Sequence, residues 1–387
     1  MNLLLVNYEY PPVGGGAANA TQFLGRALIR LGHRVHVLTS GLQGADGTSE
    51  EGGMQIHRLP VGRRQPDRAR QWEMIKFLLQ SRSAAPRLHR DHRFEASIAF
   101  FTIPSGPASL RLFRLAGVPY IVSLRGGDVP GHVPGLQLKH LLTRPLRRAV
   151  LHRAAAIVAN SESLAATSRT ADPFPVQVIV SGVDGEVFHP VCDQKERSTT
   201  GRLRLLFVGR VHPEKNLGSV VRQLAVLPPQ VRDKFELHVV GDGAQRAELV
   251  TLAHEFGVDG HIHWLGWQKK SALPGLYRGA DALVNPSHYE GMPNVVLEAM
   301  ASGLPVFASD VPGNRAAVVP DETGVLFPLD QPQVLGGALL RLATDRAWGR
   351  SLGQAGRRRA EAEFSWTRAA QSYLELLGSR QAVSSLS

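Results

Sequence analysis

The sequence predicts an α/β fold of two doubly wound, Rossmann-like domains facing a cleft. Three observations carry this expectation. Short, β-rich apolar runs alternate with longer helical patterns along the whole chain, and 387 residues are many for a single core. At mid-chain the rhythm stops in "SGVDGEVFHPVCDQKERSTTGR" (181–202), where small, polar and charged residues replace the periodic pattern. The expected boundaries are 1–183 for an N-terminal domain and 184–364 for a C-terminal one. Residues 365–387 are expected to return to the first domain as a helix.

The elements follow in order. "LLLVNY" reads as the opening strand, the pattern over 17–31 as a helix, and "RVHVLTS" as the next strand. "ASIAFF", "YIVSL" and "AAIVAN" continue the first set, and "RLLFVG", "ELHVVG", "DALVNPS" and "LPVFAS" form the second. In open parallel sheets, ligands bind beyond the carboxyl ends of the strands. The loops after these runs are therefore where chemistry is sought.

Composition narrows the setting. The one cysteine, Cys192, cannot form an internal disulfide, which fits a reducing compartment. "MNLLLVNYEY" lacks the features of a secretory leader, and no run approaches the ~18 apolar residues of a membrane span. A cytoplasmic protein is expected. The net charge of +11 is uneven: residues 1–185 hold 22 Lys and Arg against 12 Asp and Glu. The N-terminal half is thus expected to meet something anionic. Residues 63–93 carry nine of these cations, interleaved with Trp72, Ile75, Phe77, Leu78 and Leu79. Arg144, Arg147, Arg148 and Arg153 form a second cluster. The pattern fits an anionic membrane surface, or a solvated helix whose apolar side packs on its own domain. Nucleic acid is not expected as a partner, because aromatics are only 6% and no recognisable module surrounds the arginines.

Three loops could hold a diphosphate. Gly14, Gly15 and Gly16 follow the first strand and open a helix, so backbone can approach an anion at a helix N-terminus. A nicotinamide-dinucleotide site fits poorly, because Asn19 stands where a third glycine belongs and no acid ends the next strand. In "LLFVGRVHPEKNL", Arg210 ends a strand and Lys215 lies near the next helix. Two fixed cations could neutralise a diphosphate leaving group. The chain has no Asp-x-Asp pair, so no metal site of that kind is expected. In "HYEGMPNVVLEAM", Glu290 precedes a helix that Pro293 suits in its first turn, and Glu298 lies one turn inside. The amides of Gly291, Met292, Pro293's neighbour Asn294 and Val295 could meet phosphate and sugar. Glu298 could hold ribose hydroxyls, and Glu290 could reach the transferred group.

These motifs, together with "SLRGGD", "VANSE", "SGVDGEVF", "VVGDG", "LGW" and "YEGMPNVVLEAMASGLPVFASDVPG", resemble the retaining, group 1 glycosyltransferases of family 4, which have the two-domain GT-B architecture. The resemblance spans nearly the whole chain. It implies a nucleotide-sugar donor, UDP-sugar favoured, held mainly by the C-terminal domain, with no cofactor besides this co-substrate. It further implies diphosphate contacts from Arg210 and Lys215, ribose binding by Glu298, and sugar contacts from Glu290 with the following amides. Gly15 and Gly16 approach the phosphates, and Gly241 and Gly266 lie near the base. Asp128 belongs to the catalytic set. Where many relatives carry a His-led motif, this chain has Arg125-Gly126-Gly127-Asp128. Arg125 could bind an anionic acceptor or could form a structural salt bridge; Gly127 and His132 fall in the same acceptor region. The implied reaction is transfer to a saccharide or lipid-linked acceptor with retention at the anomeric carbon, in envelope, lipopolysaccharide or exopolysaccharide synthesis, on the inner face of the cytoplasmic membrane. The alternatives are a nucleotide-sugar epimerase or hydrolase of the same fold, or a basic nucleic-acid-binding protein.

Overall fold

The computed structural model describes residues 1–65, 69–133, 135–190 and 201–384. Arg68 and residues 191–200 of the mid-chain polar segment, Cys192 among them, lie outside these. The chain forms two compact units, Met1–Gly182 with Trp366–Ser387, and Val183–Ser365.

In the first unit the chain runs through β1 (Asn2–Val6), α1 (Gly16–Arg30), β2 (Arg34–Leu42), β3 (Gly47–Glu51), β4 (Met54–Arg63) and α2 (Gln71–His92). It continues through β5 (Ala96–Phe100), α3 (Gly106–Ala116), β6 (Tyr120–Ser123), α4 (Gln137–Arg153), β7 (Ala156–Ala159), α5 (Glu162–Ala171) and β8 (Gln177–Val178). The eight strands lie in the order β3-β4-β2-β1-β5-β6-β7-β8, parallel throughout except for β3 against β4. Helices cover both faces, so a central strand must be apolar on both sides. Leu3, Leu4, Leu5 and Val6 of β1 accordingly have no exposed surface. Leu3 and Leu5 pack with α1, whereas Leu4 and Val6 pack with Phe77 and Ala85 of α2.

The second unit comprises β9 (Leu203–Val208), α6 (Leu217–Val226), α7 (Pro229–Arg232), β10 (Phe235–Val240), α8 (Arg246–Glu255), β11 (Ile262–Gly266) and α9 (Leu273–Arg278). β12 (Ala282–Asn285), α10 (Asn294–Ala301), β13 (Val306–Ser309), α11 (Pro312–Ala317), β14 (Gly324–Phe327), α12 (Gln333–Thr344) and α13 (Arg346–Glu363) complete it. Its six parallel strands run β11-β10-β9-β12-β13-β14. Counted within the unit this is the doubly wound order 3-2-1-4-5-6, which reverses between β9 and β12. The inner strands of the first sheet reverse in the same way between β1 and β5.

The last helix, α14 (Trp366–Ser384), belongs to the first unit. Its buried residues Trp366, Ala369, Ala370, Tyr373 and Leu377 repeat at helical spacing and join the core built on α1 and β1. Trp366 stacks on Phe23 at 5.9 Å between ring centroids. The Tyr373 hydroxyl lies 2.7 Å from Ser123 Oγ at the end of β6, and both groups are buried. Tyr373→Phe removes that partner from a buried hydroxyl, at a cost of about 1–3 kcal/mol. Urea unfolding should show a lower midpoint for the variant, and an unchanged midpoint would remove this bond from the account of how α14 is held.

Candidate functional site

The strand-order reversal of the second unit places the loop after β9 beside the loop after β12. There the Lys215 ammonium donates to Glu290 Oε1 at 2.7 Å. Ser287 Oγ lies 2.7 Å from the same oxygen and 3.0 Å from Asn285 Oδ1. Lys215 and Glu290 are mostly buried, at 22% and 12% exposure of their side chains. Arg210 pairs with Glu214 but stays 74% exposed, so its guanidinium faces water. Tyr289 donates its hydroxyl to Glu214 Oε2 at 2.8 Å. That bond holds the Glu214 carboxyl below the usual carboxylate range, with Arg210, His212 and Lys215 adding to it. The two loops are also joined through backbone: His288 N–H donates to Glu214 O at 2.9 Å, and Asn216 Nδ2 to Pro286 O at 3.2 Å.

A buried polar layer supports this pair from below. Asn285 Nδ2 donates to Asn314 Oδ1 at 3.1 Å, Asn314 Nδ2 to Ser309 O at 2.9 Å, and Ser309 Oγ to Ser287 O at 2.5 Å. All four residues are buried, and a polar network that is satisfied in this way fixes a single arrangement. Gly313 completes it: a Cβ there would stand 2.3 Å from the Glu290 carbonyl oxygen, so only glycine lets α11 support that loop. Glu214, Ser287, Tyr289 and Asn314 are absent from the sequence-based set. Glu214 adjoins Lys215 in "HPEKNL" and could have been found there; the other three are visible only through the contacts.

Gly291, Met292 and Pro293 lead into α10. Pro293 is the N-cap residue rather than part of the first turn as expected, because Val296 N–H and Leu297 N–H both donate to its carbonyl, at 3.0 and 3.2 Å. The amides of Asn294 and Val295 are consequently first-turn donors with no partner inside the helix. Glu298 lies one turn further on. Its Oε2 accepts the Tyr277 hydroxyl at 2.8 Å. Burial pushes the Glu298 carboxyl up to about 7, with Tyr277 and Lys270 opposing that rise. Gly241 N–H donates to Gly266 O at 2.8 Å, and with φ +130 a Cβ on Gly241 would stand 1.9 Å from Gly209 O. The loops after β9, β10 and β11 therefore touch through backbone. The hydrogen bonds bring Lys215 and Glu290 into one group and Gly241 and Gly266 into another beside Gly209, but none of them ties Glu298 to Lys215 or Glu290.

In the first unit, Gly15 caps α1, and Gly15 and Gly16 are exposed after β1. Asp128 is buried and anchors a loop: its carboxylate accepts from Thr102 N–H at 2.7 Å, Thr102 Oγ1 at 3.1 Å and Arg125 N–H at 3.0 Å. Arg125 forms no salt bridge among the described residues. Its guanidinium lies over the Phe100 ring at 4.9 Å, and Nη1 reaches Ser181 Oγ at 3.4 Å. The structural alternative for Arg125 thus takes the form of ring stacking. Gly127 and Asp128 line a cavity of about 180 Å³ with Tyr8, Phe101, Lys139 and His140. Arg125 and His132 are not among its lining residues; His132 is exposed and lies against Gly126. The arginine cluster of α4 also divides. Arg147 is buried on Asp172 at 2.6 Å and Arg148 reaches the same carboxylate at 3.1 Å, leaving Arg144 and Arg153 exposed.

Two family models match the chain, "Glycosyl transferases group 1" over residues 170–359 and "Glycosyl transferase 4-like domain" over residues 15–182. A D-inositol 3-phosphate glycosyltransferase from Salinispora arenicola is 34% identical over 250 residues, covering 57% of this chain and 56% of that protein. Only about half of that relative's length is therefore matched. The solved structure of sucrose-phosphate synthase from Thermosynechococcus elongatus is 26% identical with a TM-score of 0.79, covering 99% of both chains. Anabaena HepE, solved in complex with UDP-glucose, is 18% identical with a TM-score of 0.71, covering 98% of this chain and 100% of its own.

The raised Glu298 pKa has a measurable consequence. Between about 4.5, the ordinary value, and about 7, the native state keeps a proton that the unfolded chain has lost. Unfolding free energy therefore falls as pH rises through that window and is insensitive to this group outside it. Glu298→Gln should flatten that part of the profile in denaturant unfolding at pH 4.5, 6 and 8; an unaltered slope would refute the burial assigned to this carboxyl.

Proposed function

The chain belongs to the group 1 glycosyltransferases, and from that premise we propose that it moves a sugar from a UDP-sugar to a saccharide or lipid-linked acceptor, with retention and without a metal ion at the donor. One observation carries this reading: the Lys215–Glu290 pair stands where the strand order reverses, on the loop that leads into α10. An ammonium has three N–H donors, and the bond to Glu290 uses one. The others, with Arg210 and the α10 amides, offer positive charge and aligned dipoles to a diphosphate. Fixed cations then do what a metal–carboxylate pair does elsewhere.

In the proposed reaction the bond from the anomeric carbon to the diphosphate oxygen breaks. The acceptor oxygen bonds to the same face, and its proton passes to the departing phosphate oxygen. Lys215 and Arg210 stabilise the charge that develops on the leaving group. Both bonds to Glu290 use Oε1, which leaves Oε2 for hydroxyls of the transferred sugar. Glu298 is assigned to the ribose and the Gly241–Gly266 rim to the base. The choice of uracil is supported by the similarly folded HepE, whose structure holds UDP-glucose. A thermal-shift screen of UDP-, GDP- and ADP-sugars, followed by determination of the product's anomeric configuration, tests the reading as a whole. Release of free sugar without acceptor would favour a hydrolase. Lys215→Ala should lower kcat by about 10²–10³-fold, the scale of one lost transition-state donor, while the protein remains folded by circular dichroism. Turnover equal to wild type would refute the leaving-group role.

The acceptor is assigned to the first unit and to an anionic membrane surface, as suits envelope or exopolysaccharide synthesis. Among the described residues no helix is long and apolar enough to cross a membrane. Trp72, Ile75 and Leu79 are nevertheless exposed along one side of α2, as are Leu138, Leu141 and Leu142 along α4, with Lys76 and Arg144 among them. Apolar side chains at helical spacing, flanked by cations, suit an anionic interface. Flotation should recover the protein with anionic vesicles at low salt and not with neutral ones. Equal recovery with both would remove the electrostatic part of this assignment.

A further inference from the structure

Three histidines from three different elements meet in the first unit: His36 of β2, His57 of β4 and His92 at the end of α2. His36 lies in register with Leu4, early in β2, so the cluster sits toward the amino ends of the strands. The loops assigned to substrate follow the carboxyl ends. His36 and His57 are buried and His92 is half-buried.

We propose that His36, His57 and His92 form a binding site for a late first-row divalent cation of the zinc type, separate from the transfer chemistry. The argument is geometric first. Zinc holds imidazole nitrogens at ~2.1 Å in a tetrahedral array, which requires donors about 3.4 Å apart and ring centroids about 5.2 Å apart. Here one ligand atom from each ring lies within 4.8 Å of the others. His36 Nδ1 and His57 Nε2 are 3.1 Å apart. The ring centroids are separated by 5.4, 4.3 and 5.8 Å, which scatter around the required value. Small ring rotations separate this arrangement from a three-imidazole set with one open position.

The surroundings support the same reading. His57 Nδ1 lies 3.1 Å from Thr48 Oγ1, which orients the ring; in the tautomer whose Nδ1–H donates to Thr48, Nε2 keeps its lone pair. Such an outer hydrogen bond is typical of a ligating histidine. In that tautomer His36 Nδ1–H donates to the lone pair when no ion is bound, and on binding this proton moves to His36 Nε2, so the net charge of the ligand set is unchanged. Burial, with His92 nearby, pushes His36 and His57 down to about 4, so both are neutral at physiological pH, as ligands must be. The other candidate cluster, Glu236, His238 and His263, is less suited. Arg204 already donates to Glu236 at 3.0 Å and places a fixed cation beside it.

The test is titration of chelator-stripped, full-length protein with Co²⁺, read by equilibrium dialysis, visible absorption and thermal midpoint. One ion per chain should bind and raise the midpoint. His92→Gln, at the half-buried ligand, should weaken binding at least tenfold and abolish the rise. Thr48→Val should weaken it by about 10–100-fold, the scale of a lost outer partner. His263→Gln should change nothing. The proposal is overturned if wild type binds no more cobalt than His92→Gln does, or if His263→Gln removes the bound ion. Donor binding and turnover are not read in this experiment, so its failure leaves the glycosyltransferase assignment untouched.

Discussion

A mostly buried ammonium needs a partner, and a mostly buried carboxylate needs one as much; leaving either alone would cost several kcal/mol. The Lys215–Glu290 pair is the constraint on which the second unit's functional end depends. It exists because the sheet reverses its strand order between β9 and β12, which brings two loops distant in sequence into contact. It holds its geometry because Ser287, Asn285, Ser309 and Asn314 satisfy one another beneath it. Gly313 contributes by having no side chain at all. The charges are thus held in place by the protein itself, which is what the leaving-group role proposed for Lys215 requires.

The first unit uses the same strand order for a different purpose. Asp128 holds the loop after β6 by accepting three hydrogen bonds. The adjoining cavity is lined by aromatic and polar side chains, Tyr8, Phe101, Lys139 and His140. Arg125 is held over an aromatic ring, where burial lowers its pKa. One architecture therefore supplies a charged, hydrogen-bonded loop pair in one unit and a partly apolar recess in the other.

Much of this was legible in the sequence, and the failures have identifiable causes. Buried parallel strands are largely apolar on both faces, so β1, β2, β5, β9, β10, β12 and β13 appear as short runs dominated by apolar residues. β3 does not, because "GTSEE" is an exposed, charged edge strand, and β4 contains Pro60, which counts against a strand. Glycine-rich loops and the Glu290/Glu298 spacing could be read because they are local. Pairings across the fold could not: nothing in the sequence places Lys215 on Glu290, Asp172 between Arg147 and Arg148, or Arg125 on Phe100. Two of the four α4 arginines consequently look like free surface charge in the sequence and are tied to Asp172 in the protein.

The return of α14 to the first unit bears on the order in which the polypeptide is made. Every segment of the second unit leaves the ribosome before Trp366 does, so the first unit lacks Tyr373, Trp366 and Leu377 until the second has been made. Val183 N–H bonds to Phe364 O at 2.7 Å, so the two ends of the second unit meet and it can close as a self-contained insertion. The first unit is therefore begun before the second and completed after it. Until then the apolar face of α1 that packs against α14 lacks that partner.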